Sequence, residues 1–302
     1  MLQGGLGNQL FQFAAGWLLA KNNSRTLVLD SSLIAQTSKH GESFTSIRPD
    51  WLKSENVKIE IPSTRKFTFG LNTRIRTSSK YSGIMGKRVI TDELFQQIEA
   101  DSAGDLNLNN AVKFNELILL GMFQDWRIAH FAKKEGLLFD FSSRISNNTK
   151  LKKLHTRIED VNCVGISIRL GNDVIYSRKH AQPSINYFRR AIEYSINIQE
   201  TSSFIIFTDN PMRSKTFLMQ LPCKLRSKLD FLDSQGTLTS AEKLFLLAES
   251  CSGVIATNST FCHWAAWIAS SNGKICISPI IKDSNLPYLT GRPTTWHELE
   301  IT

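Results

Sequence analysis

Glycine and amide residues lie close together at positions 4–9, where the chain reads Gly-Gly-Leu-Gly-Asn-Gln. This segment runs directly into an apolar stretch, residues 10–19, that is typical of a helix. Glycines allow a tight backbone turn, and the N–H groups of the following helical turn favour an anion such as phosphate. We therefore expect Gly5 and Gly7 to contribute to an anion-binding turn.

Polar residues also follow successive strand-like segments in the C-terminal half. Arg169 ends the first segment, Asp209 follows the second, and Asn258, Ser259 and Thr260 follow the third. A guanidinium pairs with phosphate oxygens, a carboxylate accepts hydrogen bonds from a base or ribose, and hydroxyl groups at a helix start bind phosphate. Each residue type is common in ion pairs, turns or helix caps, but their repetition at strand ends predicts a nucleoside-diphosphate pocket.

The elements that must position these residues alternate between strands and helices, which predicts a doubly wound α/β fold with its site at the strand carboxyl ends. In the C-terminal half the pattern predicts strands at 161–169, 203–208, 253–256 and 274–278, and helices at 184–198, 240–250 and 260–270. In the N-terminal half a helix at 9–21 precedes a strand at 26–29, and a strand at 116–120 leads to Gln124 and Asp125.

The length of 302 residues predicts two domains, because single cores tend to stop growing near this size. Residues 131–150 change from aromatic-rich to polar and are typical of a boundary. The sequence therefore divides into domains at 1–150 and 151–302.

The cysteines and histidines give no sign of a metal site. The five cysteines are scattered without C-x-x-C spacing, so we expect small buried apolar side chains rather than disulfides or zinc ligands. The six histidines form no ligand pair such as H-E-x-x-H, which favours a mechanism without a metal or other cofactor. The apolar stretches are too short to span a membrane and no signal peptide precedes the glycine turn, which predicts a cytoplasmic protein.

The formal net charge of +9 favours anionic partners. Residues 61–91 contain no Asp or Glu, and the basic residues of the segment 65–88 alternate with aromatic and aliphatic ones. This basic segment is either an ordinary solvated surface or a peripheral contact with the acidic inner face of the cytoplasmic membrane. No nucleic-acid-binding signature accompanies it, so we expect no nucleic acid partner.

Five segments of the chain carry a family resemblance: 4–14, 121–124, 166–171, 207–209 and 256–267. Taken in order, they resemble the α-1,2-fucosyltransferases of bacterial polysaccharide synthesis. The resemblance implies an α/β, GT-B architecture in which two Rossmann-like domains face a central cleft, with the acceptor on the N-terminal domain and the GDP-sugar on the C-terminal one. It also implies an inverting, metal-independent transfer of fucose from GDP-fucose to a glycan hydroxyl, with an α-1,2 linkage to galactose in an O-antigen or capsule.

The same resemblance implies roles for individual residues. Arg169 matches the arginine that contacts the donor β-phosphate, and Asn8 matches the asparagine that faces the reaction centre. Gln9, Gln124 and Asp125 are then candidates for the acceptor side. A fixed cation at the leaving diphosphate is physically reasonable, because departure of GDP builds negative charge on the β-phosphate.

The chain departs from the family signature His-x-Arg-Arg-Gly-Asp. Ser167 replaces the histidine, Leu170 replaces the second arginine, and the acid is either displaced to Asp173 or exchanged for Asn172. Loss of a polar contact can redirect specificity, so a different GDP-sugar donor is an alternative. A catalytically lapsed glycan-binding or nucleotide-binding protein is another. Only three residues precede the glycine turn, where the family has a complete apolar strand.

The general base for the acceptor hydroxyl is unassigned, with Asp125, Asp173 and Glu42 as candidates. A NAD-dependent oxidoreductase is the rival enzyme class, because the glycine turn followed by Asp30 imitates a dinucleotide-binding fingerprint. The bulky Leu10 at the position of the third glycine argues against it.

Overall fold

The computed structural model describes residues 2–31, 34, 52–54, 57–61, 87–90, 116–139, 147–171, 183–199, 201, 203–280 and 293–300. The chain divides into two compact units, Met1–Leu138 and Phe139–Thr302. The boundary predicted from the sequence, 150/151, lies in the first turn of the helix Thr149–Val161.

The first unit is organised around helix α1, Leu6–Asn22, which is buried over most of its surface. Such a helix is apolar on nearly all sides, so burial rather than amphipathic patterning holds it in place. It begins at Leu6, about three residues before the predicted start at residue 9. Short strands pair two by two: β1 (Leu27–Val28) with β3 (Ile59–Glu60), β2 (Leu52–Ser54) with β6 (Leu137–Phe139), and β4 (Lys87–Ile90) with β5 (Glu116–Leu119).

Helix α2, Trp126–Lys134, packs against α1 through aromatic rings. The rings of Phe11 and Trp126 meet edge to face with their centroids 4.7 Å apart, and both side chains are fully buried. Burial of one such side chain contributes roughly 1.5–3 kcal/mol. This contact therefore anchors the segment just before α2, which carries Gln124 and Asp125, to the glycine-turn helix.

The second unit contains a six-stranded sheet in which every neighbouring pair is parallel. Its strands β7, β8 and β10 are buried at every residue, as expected for a parallel sheet covered on both faces. In chain order the strands are β7 (Val164–Ile168), β8 (Phe204–Thr208), β9 (Leu229–Phe231), β10 (Gly253–Ile255), β11 (Ile275–Ile280) and β12 (His297–Glu300).

The α-helices of the second unit are α3 (Thr149–Val161), α4 (Ile185–Gln199), α5 (Pro211–Leu218), α6 (Cys223–Arg226), α7 (Ser240–Phe245) and α8 (Thr260–Ser271). Four of them, α3, α5, α7 and α8, begin with a side-chain cap that the sequence encodes locally. Thr239 caps α7 in a reciprocal capping box with Glu242. The predicted helix at 240–250 is present over its full length, but it changes from an α-helix to a π-helix over Leu246–Ser250.

The spatial order of the strands is β12-β11-β10-β7-β8-β9. Counted from β7, this is the order 3-2-1-4-5-6 of a dinucleotide-type sheet, and the chain changes direction across the sheet between β7 and β10. In such sheets a ligand binds outside the carboxyl ends of the two strands at this switch point. The fold thus predicts a ligand site at the residues that follow β7 and β10.

Candidate functional site

The glycine turn of the first unit depends on Gly4. Its φ angle is +74°, a left-handed conformation that favours glycine, and a methyl group added there would lie 2.8 Å from Nδ2 of Asn8. Gly5 caps α1 in an extended conformation open to any residue, and Gly7 is buried in the first helical turn. Gly4 was absent from the predicted site residues of this turn. The adjacent glycines Gly4 and Gly5 are the sequence feature that could have indicated it, because glycine tolerates a positive φ angle.

Buried glutamine amides hold this turn in place. The Nε2 amide of Gln9 donates to the carbonyl of Gly4 over 2.9 Å, and that of Gln12 donates to the carbonyl of Gly121 over 3.0 Å. The backbone N–H of Gln3 donates to Oε1 of Gln12 over 2.9 Å. Gln9 is fully buried, so this geometry favours a role in holding the turn over direct contact with an acceptor.

Asn8 is joined to Gln124, the second predicted acceptor-side residue. Nε2 of Gln124 donates to Oδ1 of Asn8 over 2.8 Å, and both residues are half-buried. The preceding Phe123 has φ of +50°, a conformation that costs a bulky residue roughly 1–3 kcal/mol and that clusters at functional sites. The unusual backbone conformation of Phe123 thus directly precedes Gln124, the residue whose side chain contacts Asn8.

Asp125, a candidate acceptor contact and general base, is engaged locally. Its carboxylate caps α2 by accepting from the backbone N–H of Arg127, and it pairs with the guanidinium of Arg127 over 2.5 Å. The residue is buried. These contacts give Asp125 a defined structural task at the start of α2.

In the second unit, Arg169 directly follows β7 and lies beside Asp209, which directly follows β8. The carboxylate of Asp209 accepts from the backbone N–H groups of Leu170 over 2.8 Å and of Gly171 over 3.0 Å. Nε of Arg169 lies 3.9 Å from Oδ2 of Asp209, and one third of its side chain is exposed. Asp209 therefore fixes the backbone just after Arg169 and adds a weak electrostatic restraint on its guanidinium.

A second layer of contacts holds the end of β8. Nζ of Lys243 donates to the carbonyl of Thr208 over 2.9 Å and lies 3.3 Å from the buried carboxylate of Asp233. Burial alone would raise the pKa of Asp233, but the backbone N–H groups of Leu238 and Thr237 and the charge of Lys243 together lower that pKa below its usual value. The carboxylate thus stays ionised and anchors Lys243 under the strand end.

The segment after β10 ends in the N-terminus of α8. Ser259 caps this helix by accepting from the backbone N–H of Cys262, while Asn258 and Thr260 are half-buried. The N-terminus of a helix carries free N–H groups and a partial positive charge that favour phosphate. Strands β7 and β10 are direct neighbours, so Arg169 and the residues 258–260 follow the two strands of the switch point. This edge can bind a nucleoside diphosphate.

Several predicted features lie outside the described residues: Glu42, Asn172, Asp173 and most of the basic segment 65–88, of which only the residues of β4 are described. Among the described residues, no three His, Cys, Asp or Glu side chains are grouped so that they could hold a metal ion. The described helices include none with the length and apolar character to cross a membrane.

Comparison with known proteins yields relatives over nearly the whole chain. The O-antigen biosynthesis glycosyltransferase WbnK of Escherichia coli is 26% identical over 294 residues, which cover 92% of each chain. An alpha-1,2-colitosyltransferase of Escherichia coli is 24% identical over 283 residues, which cover 92% of this chain and 89% of the relative.

Solved structures share the fold. POFUT1 in complex with GDP-fucose aligns with a TM-score of 0.55 at 14% identity, covering 99% of this chain and 96% of that one. The fucosyltransferase NodZ from Bradyrhizobium aligns with a TM-score of 0.50 at 16% identity, covering 87% and 89%. The predicted GT-B fold class is confirmed by these neighbours.

A family model described as Glycosyl transferase family 11 matches residues 1–288. This match confirms the resemblance stated from the five sequence segments and the prediction of an enzyme, and it argues against the oxidoreductase alternative. The chain belongs to glycosyl transferase family 11.

Proposed function

We propose that this enzyme transfers fucose from GDP-fucose to a hydroxyl group of a glycan acceptor, with inversion at the anomeric carbon and without a metal ion. The acceptor is a galactose unit of a surface polysaccharide such as an O-antigen, and the new linkage is α-1,2. The observation that carries this proposal is the position of Arg169 at the carboxyl end of β7, on the switch point of a parallel sheet.

Arg169 acts on the leaving group. When the bond between the sugar and GDP breaks, negative charge grows on the β-phosphate, and a fixed guanidinium next to it lowers the barrier. Asp209 holds the backbone N–H groups that follow Arg169, so the cation is positioned before the reaction begins. Positioning of this kind replaces the metal ion that other diphosphate-releasing enzymes use for the same charge.

The start of α8 binds the remaining oxygens of the diphosphate. Asn258 and Thr260 supply polar side chains at this N-terminus, and Ser259 keeps the first turn in place. The relative positions of β7 and β10 support this assignment, since the two strands pair directly with Ile166 opposite Ile255.

Asn8 acts on the sugar or the acceptor hydroxyl through its side-chain amide, and Gln124 orients that amide. The base that removes the acceptor proton is unassigned. Asp125 is disfavoured, because its carboxylate is engaged by the cap of α2 and by Arg127, whereas Asp173 and Glu42 are candidates from the sequence alone.

The test compares two arginines that each lie beside an aspartate in the same unit. Arg169→Ala is expected to lower the rate of GDP release from GDP-fucose, with a galactose-terminated acceptor, by about 10²–10³. Arg157→Ala removes an exposed ion pair with Asp230 and should leave turnover unchanged. Turnover of Arg169→Ala at the level of Arg157→Ala would rule out the proposed role. Tight binding of GDP by the wild type without turnover of any donor and acceptor would identify a lapsed enzyme.

A related donor is the second candidate, since one relative is an alpha-1,2-colitosyltransferase and Ser167 and Leu170 depart from the signature. A thermal-shift series with GDP-, UDP-, TDP- and CDP-sugars distinguishes the donors. Fucose is the correct sugar if GDP-fucose stabilises the protein most and is turned over fastest. A larger shift with another GDP-sugar would favour the second candidate.

Metal independence and location at the membrane are tested separately. Turnover should persist after dialysis against EDTA, and a loss that Mg²⁺ or Mn²⁺ restores would contradict the proposed mechanism.

The enzyme acts in the cytoplasm, and the basic segment 65–88 contacts acidic lipid there. It should therefore sediment with anionic vesicles at low salt and not with neutral ones.

A further inference from the structure

One buried thiol joins three hydroxyl groups beneath the switch point of the sheet. The Cys262 thiol donates to Oγ of Ser167 over 2.8 Å, its sulfur accepts from Oγ of Ser259 over 2.9 Å, and Oγ1 of Thr257 lies 3.0 Å away. All four residues are buried, with exposed fractions between 1% and 7%. We call these four residues the thiol cluster.

The thiol cluster links the elements that carry the proposed diphosphate contacts. Ser167 is two residues before Arg169 on β7, Thr257 follows β10, and Ser259 caps α8 next to Asn258 and Thr260. Ser167 occupies the position where the family signature has a histidine, and here its hydroxyl is committed to the thiol.

We propose that Cys262 is a positioning residue of the nucleoside-diphosphate site, which holds β7 and the start of α8 in register so that both contact the same ligand. This inference rests on the proposed function. The Cys262 sulfur is a hydrogen-bond partner of three buried hydroxyl groups at once. Its removal would take this partner from each of them, and lost hydrogen bonds of buried polar groups are costly. A displacement of β7 relative to the start of α8 would separate Arg169 from the N-terminus of that helix. Small displacements of this kind reduce binding of a shared ligand strongly.

Three variants test the role of the thiol. Cys262→Ala removes every contact of the sulfur, and Cys262→Ser keeps a donor and an acceptor with little change of volume. Cys276→Ala is the matched control, because that thiol is equally buried and also contacts α8, donating to the carbonyl of Ala266 over 3.1 Å. Its partner is a backbone carbonyl and not a hydroxyl of the cluster.

The measurement is the Kd for GDP by calorimetry, with the melting temperature recorded for each variant. Cys262→Ala should raise Kd about tenfold. Cys262→Ser should recover most of the affinity, and Cys276→Ala should lower the melting temperature without raising Kd. Equal Kd values for Cys262→Ala and Cys276→Ala would overturn the inference, as would a serine variant that is impaired as much as the alanine variant.

A further variant keeps the test decisive if Cys262→Ala does not fold. Ser167→Ala removes the hydroxyl that accepts from the thiol and should also raise the Kd for GDP, whereas the control Cys276→Ala should not. An unchanged Kd in Ser167→Ala would contradict the inference. Arg169→Ala is measured in parallel. If that variant binds GDP and turns over normally, the proposed function fails, and if only the Cys262 and Ser167 variants behave normally, the positioning role alone fails.

Discussion

Nε2 of Gln124 donates a hydrogen bond to Oδ1 of Asn8 over 2.8 Å, and this contact sets the orientation of the Asn8 amide. An asparagine side chain has an accepting and a donating end, and a donor bound to Oδ1 directs the accepting end toward Gln124. Nδ2 of Asn8 then lies at the glycine turn, close enough that any side chain at Gly4 would collide with it.

Replacement of Gln124 by glutamate tests this orientation. A carboxylate cannot donate to Oδ1, so Gln124→Glu should turn the Asn8 amide around and lower kcat roughly 10–100-fold, with little change in melting temperature. The matched control is Gln3→Ala, which removes a half-buried glutamine amide that donates to Gly121 and not to Asn8. Equal kcat values for the two variants would contradict a role of Gln124 in orienting Asn8.

Substitution of Gly4 by alanine separates backbone strain from displacement of Asn8. Gly4 and Gly236 have φ angles of +74° and +71°, but a methyl group at Gly236 would meet no atom within 4 Å. Both alanine variants should lose about 1–2 kcal/mol of unfolding free energy in chemical denaturation, because alanine is strained in this region. Only Gly4→Ala should also lose turnover. Full activity of Gly4→Ala would show that the position of Asn8 has no part in the reaction.

Removal of the Asp209 carboxylate should loosen the backbone after β7. Asp209→Ala leaves the N–H groups of Leu170 and Gly171 without their acceptor, and turnover should fall at least tenfold while far-ultraviolet circular dichroism stays unchanged. Asp209→Asn keeps one accepting oxygen and should lie between the wild type and the alanine variant. The role is refuted if Asp209→Ala retains wild-type turnover.

Acid should weaken the anchor between Asp233 and Lys243. The pKa of Asp233 is lower in the folded chain than its ordinary value of 3.8, because hydrogen bonds and Lys243 outweigh burial. An acid with a lowered pKa stabilises the fold at pH above its unfolded value, and this stabilisation disappears as the pH falls through the folded value. The wild type should therefore melt above Asp233→Asn at pH 7, and the difference should shrink below about pH 4. A difference that grows in acid would contradict this sign.

Local patterns in the sequence were sufficient for the buried strands and for several helix starts. The strands β7, β8 and β10 were predicted because continuous apolar runs indicate burial on both faces. The two edge strands of the six-stranded sheet, β9 and β12, were not predicted. Strand β12 reads His-Glu-Leu-Glu and is mostly exposed, so its pairing with β11 depends on backbone hydrogen bonds that leave no apolar pattern in the sequence.

The prediction for the cysteines was correct for burial and incomplete for chemistry. Cys163, Cys251, Cys262 and Cys276 are buried, whereas Cys223 is exposed and contradicts the prediction. Residue type predicts that a thiol is often buried, but it does not predict the partners of Cys262. Thr257 and Ser259 lie within five residues of Cys262, whereas Ser167 is 95 residues away. Only the packing of β7 beside β10 and α8 brings Ser167 to the thiol.

The sequence by itself determined the residue types at the strand ends, the glycine turn and the membership in a family of sugar transferases. These features are local, since a few adjacent residues specify a turn, a cap or a buried run. The tertiary structure alone decided that β10 lies beside β7 and that Gln124 reaches Asn8 from 116 residues away. Contacts of this range depend on the free energy of the whole packed unit, which no short segment of sequence encodes.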